Sequence, residues 1–301
     1  ALSAFRTCCN GFTGLLMEPE TYRDIYNLLN VKDDVASICD KFCIAHETAL
    51  SIYSQKLQNN LKKDVPYHYK PQNASSYFKR WKSGESIYNI SQSLDFPPVP
   101  LARIILAQWL RASFRTRGRK ADNDNNGAKE LTYNAAKKKA KQLIRMTDDI
   151  TDKRLQEEVI EAIQRDDCCS PHVEQLRHWT GKEYEFLLEE KLASVGISFK
   201  SEETLREMGY PKTPDVFLPV PIVVKGFVVN WIESKALFGD AEIHKSYLKD
   251  QLRGYRNRYG PGLVIYWFGF ELSPDLNKDK DILVLDHFPR PEDIVTINFG
   301  Q

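Results

Sequence analysis

Apolar residues recur at helical spacing through most of the first half of the chain and at strand spacing through much of the second. From Pro19 to Leu61 the period is helical. Val35, Ile38 and Phe42 line one short amphipathic helix, and Ala49, Leu50, Tyr53 and Leu57 line the next. This is helix-turn-helix spacing without a Gly in the turn. A similar pair starts at Ser86-Ile87-Tyr88-Asn89-Ile90, turns through Phe96-Pro97-Pro98-Val99-Pro100 and continues from Leu101 to Leu110. The prolines end the first of these helices and restart the chain. A further helix is expected near Asp152 to Arg165, then one opened by Gly181 with Tyr184, Leu187, Leu188, Leu192 and Val195 on one face. Val216-Phe217-Leu218 and Phe227 to Ile232 read as strands that pair around a Lys225-Gly226 turn. Between Ile243 and Arg258 a helix carries Tyr247, Gln251 and Tyr255 at i, i+4, i+8, with Leu248 and Leu252 alongside. Gly260-Pro261-Gly262 breaks it before the strand Leu263 to Phe268, and Ile282 to Leu285 and Ile294 to Ile297 follow as strands. The pattern predicts an α+β protein, an all-helical half followed by an α/β domain.

At 301 residues, 42% hydrophobic and 28% charged, the chain can bury one or two cores. Its longest apolar run, Leu263 to Phe268, is far too short to cross a bilayer, so no membrane partner is expected. The first sixteen residues hold one Arg and neither a charged start nor a clear cleavage site, so they stay an unassigned segment. Six cysteines, at 8, 9, 39, 43, 168 and 169, make a poor disulfide framework and point to reduced thiols in the cytoplasm or nucleus. Cys39, Cys43 and His46 lack a fourth ligand at zinc-finger spacing, so buried thiols are expected there.

The net charge of +1 conceals an asymmetry. Residues 1–55 carry four Lys/Arg against seven Asp/Glu, residues 56–120 thirteen against three, and residues 121–301 twenty-five against thirty-one. A basic segment beside an acidic half suits a nucleic-acid grip attached to a cation-binding site, although a solvated basic face gives the same count. Arg111, Arg115 and Arg117 are the candidate phosphate contacts. Together with the polar Asp122 to Gly127 run and Lys137 to Lys139, they read as a basic, polar linker. The expected division is 17–110 helical, 111–147 linker and 148–301 α/β.

The chemistry gathers at Thr213-Pro214-Asp215 and Trp231-Ile232-Glu233-Ser234-Lys235. Glu233 and Lys235 share a strand face while Ser234 points away, and pairing around the turn brings Asp215 alongside Glu233. Two carboxylates and an ammonium at one sheet edge suit Mg²⁺ or Mn²⁺ beside an activated water. This is the Asp…Glu-x-Lys arrangement of PD-(D/E)xK nucleases, and a strand end with solvated charges is its bland alternative. Upstream, Glu185 lies about 20° around the helix from Leu192, at the margin of the buried face and in reach of a cation. Gln251 interrupts an apolar stripe with an amide that needs partners.

Thr213-Pro214-Asp215, Trp231 to Ala236 with Phe238-Gly239-Asp240, and Gly260 to Trp267 together resemble the codanin-interacting nuclease family, also called the TPD-motif family. Asp166-Asp167-Cys168-Cys169 and the Gly181 helix resemble it too; the likeness is strong over about 165–300 and weaker over 17–110. It implies a restriction-endonuclease-like PD-(D/E)xK domain behind a helix-turn-helix-like half. It also implies Asp215, Glu233 and Lys235 as the catalytic triad, and a codanin-type protein partner. Gly181-x-x-x-Glu185 resembles the first-helix acid of archaeal Holliday-junction resolvases, and Gln251 with Tyr255 resembles the Gln-x-x-x-Tyr motif of RecB-type nucleases. The expectation is therefore a metal-dependent nuclease of the nucleus and cytoplasm acting on DNA or RNA. In it Asp215, Glu233 and Glu185 hold the metal, Lys235 and Gln251 act on water or phosphate, and Tyr255 stacks on a base. Its rival is a catalytically weak scaffold that keeps the fold to bind a protein and nucleic acid.

Overall fold

In the computed structural model, which describes residues 16–120, 131–274, 276 and 279–296 (115–120 as backbone alone), the first half is helical, as the apolar spacing requires. After the short strand β1 (Leu16–Met17) come α1 (Pro19–Leu28), α2 (Asp34–Phe42), α3 (His46–His68), α4 (Pro71–Lys82), α5 (Ile87–Leu94), α6 (Pro98–Lys120), α7 (Tyr133–Arg145) and α8 (Lys153–Arg165). Pro19, Pro71 and Pro98 stand at helix starts, where the missing N–H breaks no intrahelical bond. Elsewhere side-chain oxygens accept the otherwise unpaired N–H groups: Ser86 from Asn89 at 3.1 Å, Thr132 from Ala135 at 3.3 Å, Asp152 from Leu155 at 3.0 Å. The second half follows as α9 (Pro171–Ser194), β2 (Lys200–Ser201), α10 (Glu202–Glu207), β3 (Val216–Val224), β4 (Phe227–Lys235) and α11 (Ala241–Tyr247). A π-helical segment, Leu248–Leu252, leads into α12 (Arg253–Tyr259). The chain ends in β5 (Gly262–Tyr266), β6 (Phe270–Glu271), β7 (Ile282–Leu285) and β8 (Ile294–Thr296). The fold is mixed α+β.

These elements form two units. One takes the chain as far as Gln55 together with His178 onward, and the other is Lys56–Arg177. The expected boundaries at 17, 110 and 147 do not coincide with them, for three reasons visible in the packing. First, residues before Gln55 are bonded into the sheet-bearing unit. The Tyr22 ring stacks on Phe238 at 5.4 Å, and its hydroxyl donates to Asp240 Oδ2 at 3.0 Å. Thr48 Oγ1 donates to the Phe268 carbonyl at 2.9 Å, and Gln55 Nε2 to the Phe238 carbonyl at 2.8 Å. Second, α9 begins at Pro171, so Gly181 lies inside the helix instead of opening it. Third, the 111–147 segment is largely structured. Helix α6 runs on to Lys120, and α7 buries Ala136, Ala140, Leu143 and Ile144. The Asp122 to Gly127 part of the expected linker lies outside the described residues.

Within Lys56–Arg177, α6 is the core element, burying Leu101, Ile104, Ile105 and Leu106 among residues of α4, α5, α7 and α8. Asp166 fixes one end of it. Its Oδ2 accepts the Val99 N–H at 2.8 Å in the first turn of α6, and its Oδ1 accepts the Cys168 and Cys169 N–H groups at 2.8 and 2.6 Å. Both thiols are buried. Cys39 and Cys43 are not: Cys39 is half-buried, and Cys43, which ends α2 in the left-handed conformation at φ 52°, is exposed.

In the other unit the sheet order is β2-β3-β4-β5-β7, with β8 also on β3. Strands β4, β5 and β7 are parallel, and β2, β3 and β8 antiparallel. β1 and β6 pair separately. Lys225 and Gly226 both take positive φ, 51° and 83°, which makes the tight β3–β4 turn. Near that turn Ile222 faces Val229, but farther out Phe217 faces Trp231 and Val216 faces Ile232, so the register shifts once. Pro219 and Pro221, which have no N–H for the ladder, lie in the irregular stretch. One apolar cluster combines Leu188 and Leu192 of α9 with Val216, Ile232, Leu263 and Ile265. Another combines Trp231, Val264 and Val284 with Leu248, Leu252 and Tyr255.

Candidate active site

The shifted register decides which residues meet at the open end of β3 and β4. With Val216 opposite Ile232, the next position outward sets Asp215 against Glu233. The Asp215 N–H donates to Glu233 Oε2 at 3.3 Å, and the Ser234 N–H donates to Asp215 Oδ2 at 2.7 Å. Lys235 Nζ donates to Glu233 Oε1 at 2.6 Å as a buried ion pair. Its ammonium also lies 4.8 Å from the centre of the Tyr247 ring, at the end of α11. Ser234 points to the other face, where its hydroxyl accepts from Trp267 Nε1 at 2.8 Å. Sequence alternation thus placed Asp215, Glu233 and Lys235 together correctly.

The electrostatics are those of crowded acids. Burial, then the charge of Glu233, push the Asp215 carboxyl well above the ordinary range, against Lys235 and the Ser234 N–H. Burial raises Glu233 too, against its ion pair and hydrogen bond with Lys235. For Lys235 burial favours the neutral amine, but Glu233 and Asp215 outweigh it and its pKa is raised.

Glu185 stands at the border of this cluster. Its carboxylate accepts from Lys182 Nζ at 2.6 Å, and its charge adds to the upward push on Asp215. Among the described residues no three His, Cys, Asp or Glu side chains converge as a ready cation cage. Gln251 lies in the π-helical segment, and its Oε1 is buried with no hydrogen-bond partner among the described residues. Tyr255 departs from expectation. It is only 4% exposed, edge-on to Trp231 at 5.4 Å and packed in the apolar cluster with Leu252 and Val264, so its ring belongs to the core. Arg111 belongs to the helical unit, with its guanidinium 5.8 Å from the Tyr133 ring. Arg115 and Arg117 fall on α6, and their side chains lie outside the described residues.

Sequence reading missed three contributors. Glu202 is bonded to the strand start: its N–H donates to the Asp215 carbonyl at 2.9 Å, its Oε1 accepts from Thr213 at 3.3 Å, and its charge raises Glu233. Lys182 holds Glu185, and Tyr247 covers Lys235. None belongs to a spacing rule, and only the Thr of Thr213-Pro214-Asp215 hinted at a partner for itself.

A family profile described as "Protein of unknown function TPD sequence-motif" matches residues 151–288. CDAN1-interacting nuclease 1 of Mus musculus is 36% identical over 257 residues, covering 83% of this chain and 85% of that protein. The Homo sapiens protein of the same name is 35% identical over the same shares, and that of Xenopus tropicalis 36% identical over 85% of this chain and 80% of its own length. No solved structure matches the chain.

Proposed function

The chain belongs to the CDAN1-interacting nuclease 1 family, and from that premise we propose that Asp215, Glu233 and Lys235 form a divalent-metal-dependent phosphodiesterase centre of PD-(D/E)xK type. One observation carries the reading: two crowded carboxylates and a half-buried ammonium meet at the adjacent ends of β3 and β4, tied by the Asp215, Ser234 and Lys235 donors at 3.3, 2.7 and 2.6 Å. The donor set fits Mg²⁺ or Mn²⁺. Such ions are commonly held by one or two carboxylates with water and phosphate completing the shell, so a three-acid cage is not required. A positive ion would also relieve the repulsion that raises Asp215. The orphaned Gln251 Oε1 supplies a further acceptor on the flanking helix.

Asp215 and Glu233 would hold the cation, with Glu185 reaching it directly or through water. When bound, it would polarise a phosphoryl oxygen and lower the pKa of an attacking water. Lys235, fixed between Glu233 and the Tyr247 ring, keeps its proton and presents positive charge to the attacking water and the developing phosphorane. Ser234 N–H holds Asp215 Oδ2, leaving its other oxygen to turn toward the ligand. Gln251 would orient water or phosphate. The basic segment 56–120 would grip the polyanion, and a codanin-type protein would be the partner, in nucleus and cytoplasm. End-labelled DNA and RNA single strands, duplexes, flaps and junctions, incubated with Mg²⁺, Mn²⁺ or EDTA, test the activity. Cleavage that EDTA abolishes is expected; no cleavage of any member with either metal would leave the scaffold reading.

A further inference from the structure

Helix α9 buries Leu188 and Leu192, but it also carries Trp179 and Phe186, each 61% exposed. Aromatic side chains are enriched in the cores of protein interfaces, whereas singly exposed aliphatic residues are ordinary surface. These two are seven residues apart, so they lie nearly in line along the helix, separated by about 10.5 Å. That is the spacing of a seam onto which a second helix packs. Glu183 follows Trp179, and Glu190 follows Phe186, by four positions, so each acid lies about 40° around the axis from the ring it follows. Both are exposed. On the opposite flank, Lys182 is already paired with Glu185 at 2.6 Å. The ridge is therefore apolar along its crest and negative along one side.

We infer that the Trp179–Phe186 ridge is a docking face for a protein partner that presents an amphipathic helix with Lys or Arg beside its apolar stripe. Charge decides against nucleic acid as the occupant. Bases could stack on the two rings, but the attached phosphates would run beside Glu183 and Glu190 and be repelled. A basic helix would instead place its cations opposite both carboxylates while its apolar stripe covers the rings. Tryptophan is also among the side chains that carry most of the energy of such contacts, and phenylalanine is enriched in their cores. The inference rests on the partner reading proposed above and adds where on this chain that partner binds.

The test uses the full chain and the codanin-type protein of the same organism, with affinity measured by calorimetry or interferometry. Trp179→Ala with Phe186→Ala should weaken binding at least about tenfold, since truncating paired aromatic anchors removes the centre of the contact. Glu183→Lys with Glu190→Lys should weaken it severalfold at low salt, and the difference should shrink as salt is added. Thermal unfolding and metal-dependent cleavage should stay as in the parent, because these side chains are exposed and touch none of the catalytic groups. Equal affinities for parent and variants would overturn the ridge while leaving a partner elsewhere on the surface. No binding by the parent would overturn the partner reading and the ridge together. Unchanged protein binding with weakened binding of a fluorescent single-stranded oligonucleotide would make the ridge a base-stacking platform instead.

Discussion

Glu233 is buried and Asp215 half-buried beside it, and the charge of Glu233 makes that of Asp215 costly. Asp215→Asn or Glu233→Gln should therefore abolish metal binding and cleavage; Asp215→Asn should keep or slightly stabilise the metal-free fold, whereas Glu233→Gln, which takes the 2.6 Å partner from Lys235, should destabilise it. Calorimetry with Mn²⁺ and a thermal melt check both halves of that statement. Lys235→Ala should keep detectable metal binding but lose turnover by orders of magnitude, because in the proposed mechanism the ammonium would serve the water and phosphate; lost binding with a collapsed fold would make it a structural ion pair with Glu233. Glu185→Gln should lower activity much more than Glu183→Gln, since only Glu185 adds its charge to the site and Glu183 points to solvent. At this scale the sequence was informative wherever side chains obey alternation along a strand. It was silent on Glu202 and Tyr247, whose roles come from tertiary packing, and misleading for Tyr255. An aromatic residue at i+4 from a polar one reads equally well as a substrate platform or as core, and its contact with Trp231 makes it core.

Elements show the same division. Most strands and helices followed the apolar periods and the prolines, although α4 and α10 were not expected, and the β3–β4 turn fell at Lys225-Gly226 as expected. The start of α9 was misplaced because Gly181 looked like punctuation, whereas Ser170 and Pro171 provide the start ten residues earlier. The π-helical segment has no sequence signature, yet it carries Gln251 and lies between Tyr247 and Tyr255. Asp166 is the element-scale anchor of the helical unit, accepting three backbone N–H groups at 2.8, 2.8 and 2.6 Å. Asp166→Ala should destabilise the protein by about 3 kcal/mol in urea unfolding, since three buried donors lose a charged acceptor. On α11, burial pulls the His244 imidazole down from its ordinary 6.5 to about 4, against the charge of Asp279. A pKa depressed in the folded state means stability that is present above pH 6.5 and lost as pH falls toward 4. His244 alone should remove about 2 kcal/mol between pH 7 and pH 5. His244→Gln, which can still bond the Tyr266 hydroxyl, should flatten that part of the pH–stability curve.

For the whole molecule, the division into units changes how the chain should be cut. Composition pointed to a boundary near residue 147, because the basic and polar run there looks like a linker. A fragment beginning at 148 would lose Tyr22, Thr48 and Gln55, whose rings and hydrogen bonds secure Phe238, Asp240 and the Phe268 carbonyl. It is predicted to melt well below the full chain and to be cut quickly by protease, and a stable fragment would show those contacts to be dispensable. The proposed grip on nucleic acid would be a property of the full chain for a different reason. Thirteen Lys/Arg against three Asp/Glu lie in 56–120, and Lys62, Lys63, Lys79 and Lys82 among them are exposed. Replacing these four by Ala should weaken substrate binding and flatten its salt dependence, with the cleavage step unchanged at saturation. The central claim is that one strand end, Asp215 with Glu233 and Lys235, performs metal-dependent phosphodiester hydrolysis. Its most direct test is single-turnover cleavage of an end-labelled substrate by the parent and by Asp215→Asn at matched Mg²⁺ or Mn²⁺. The account predicts cleavage by the parent that EDTA stops and none by Asp215→Asn, with both proteins melting within a few degrees of each other. Equal cleavage rates for the two proteins would contradict it.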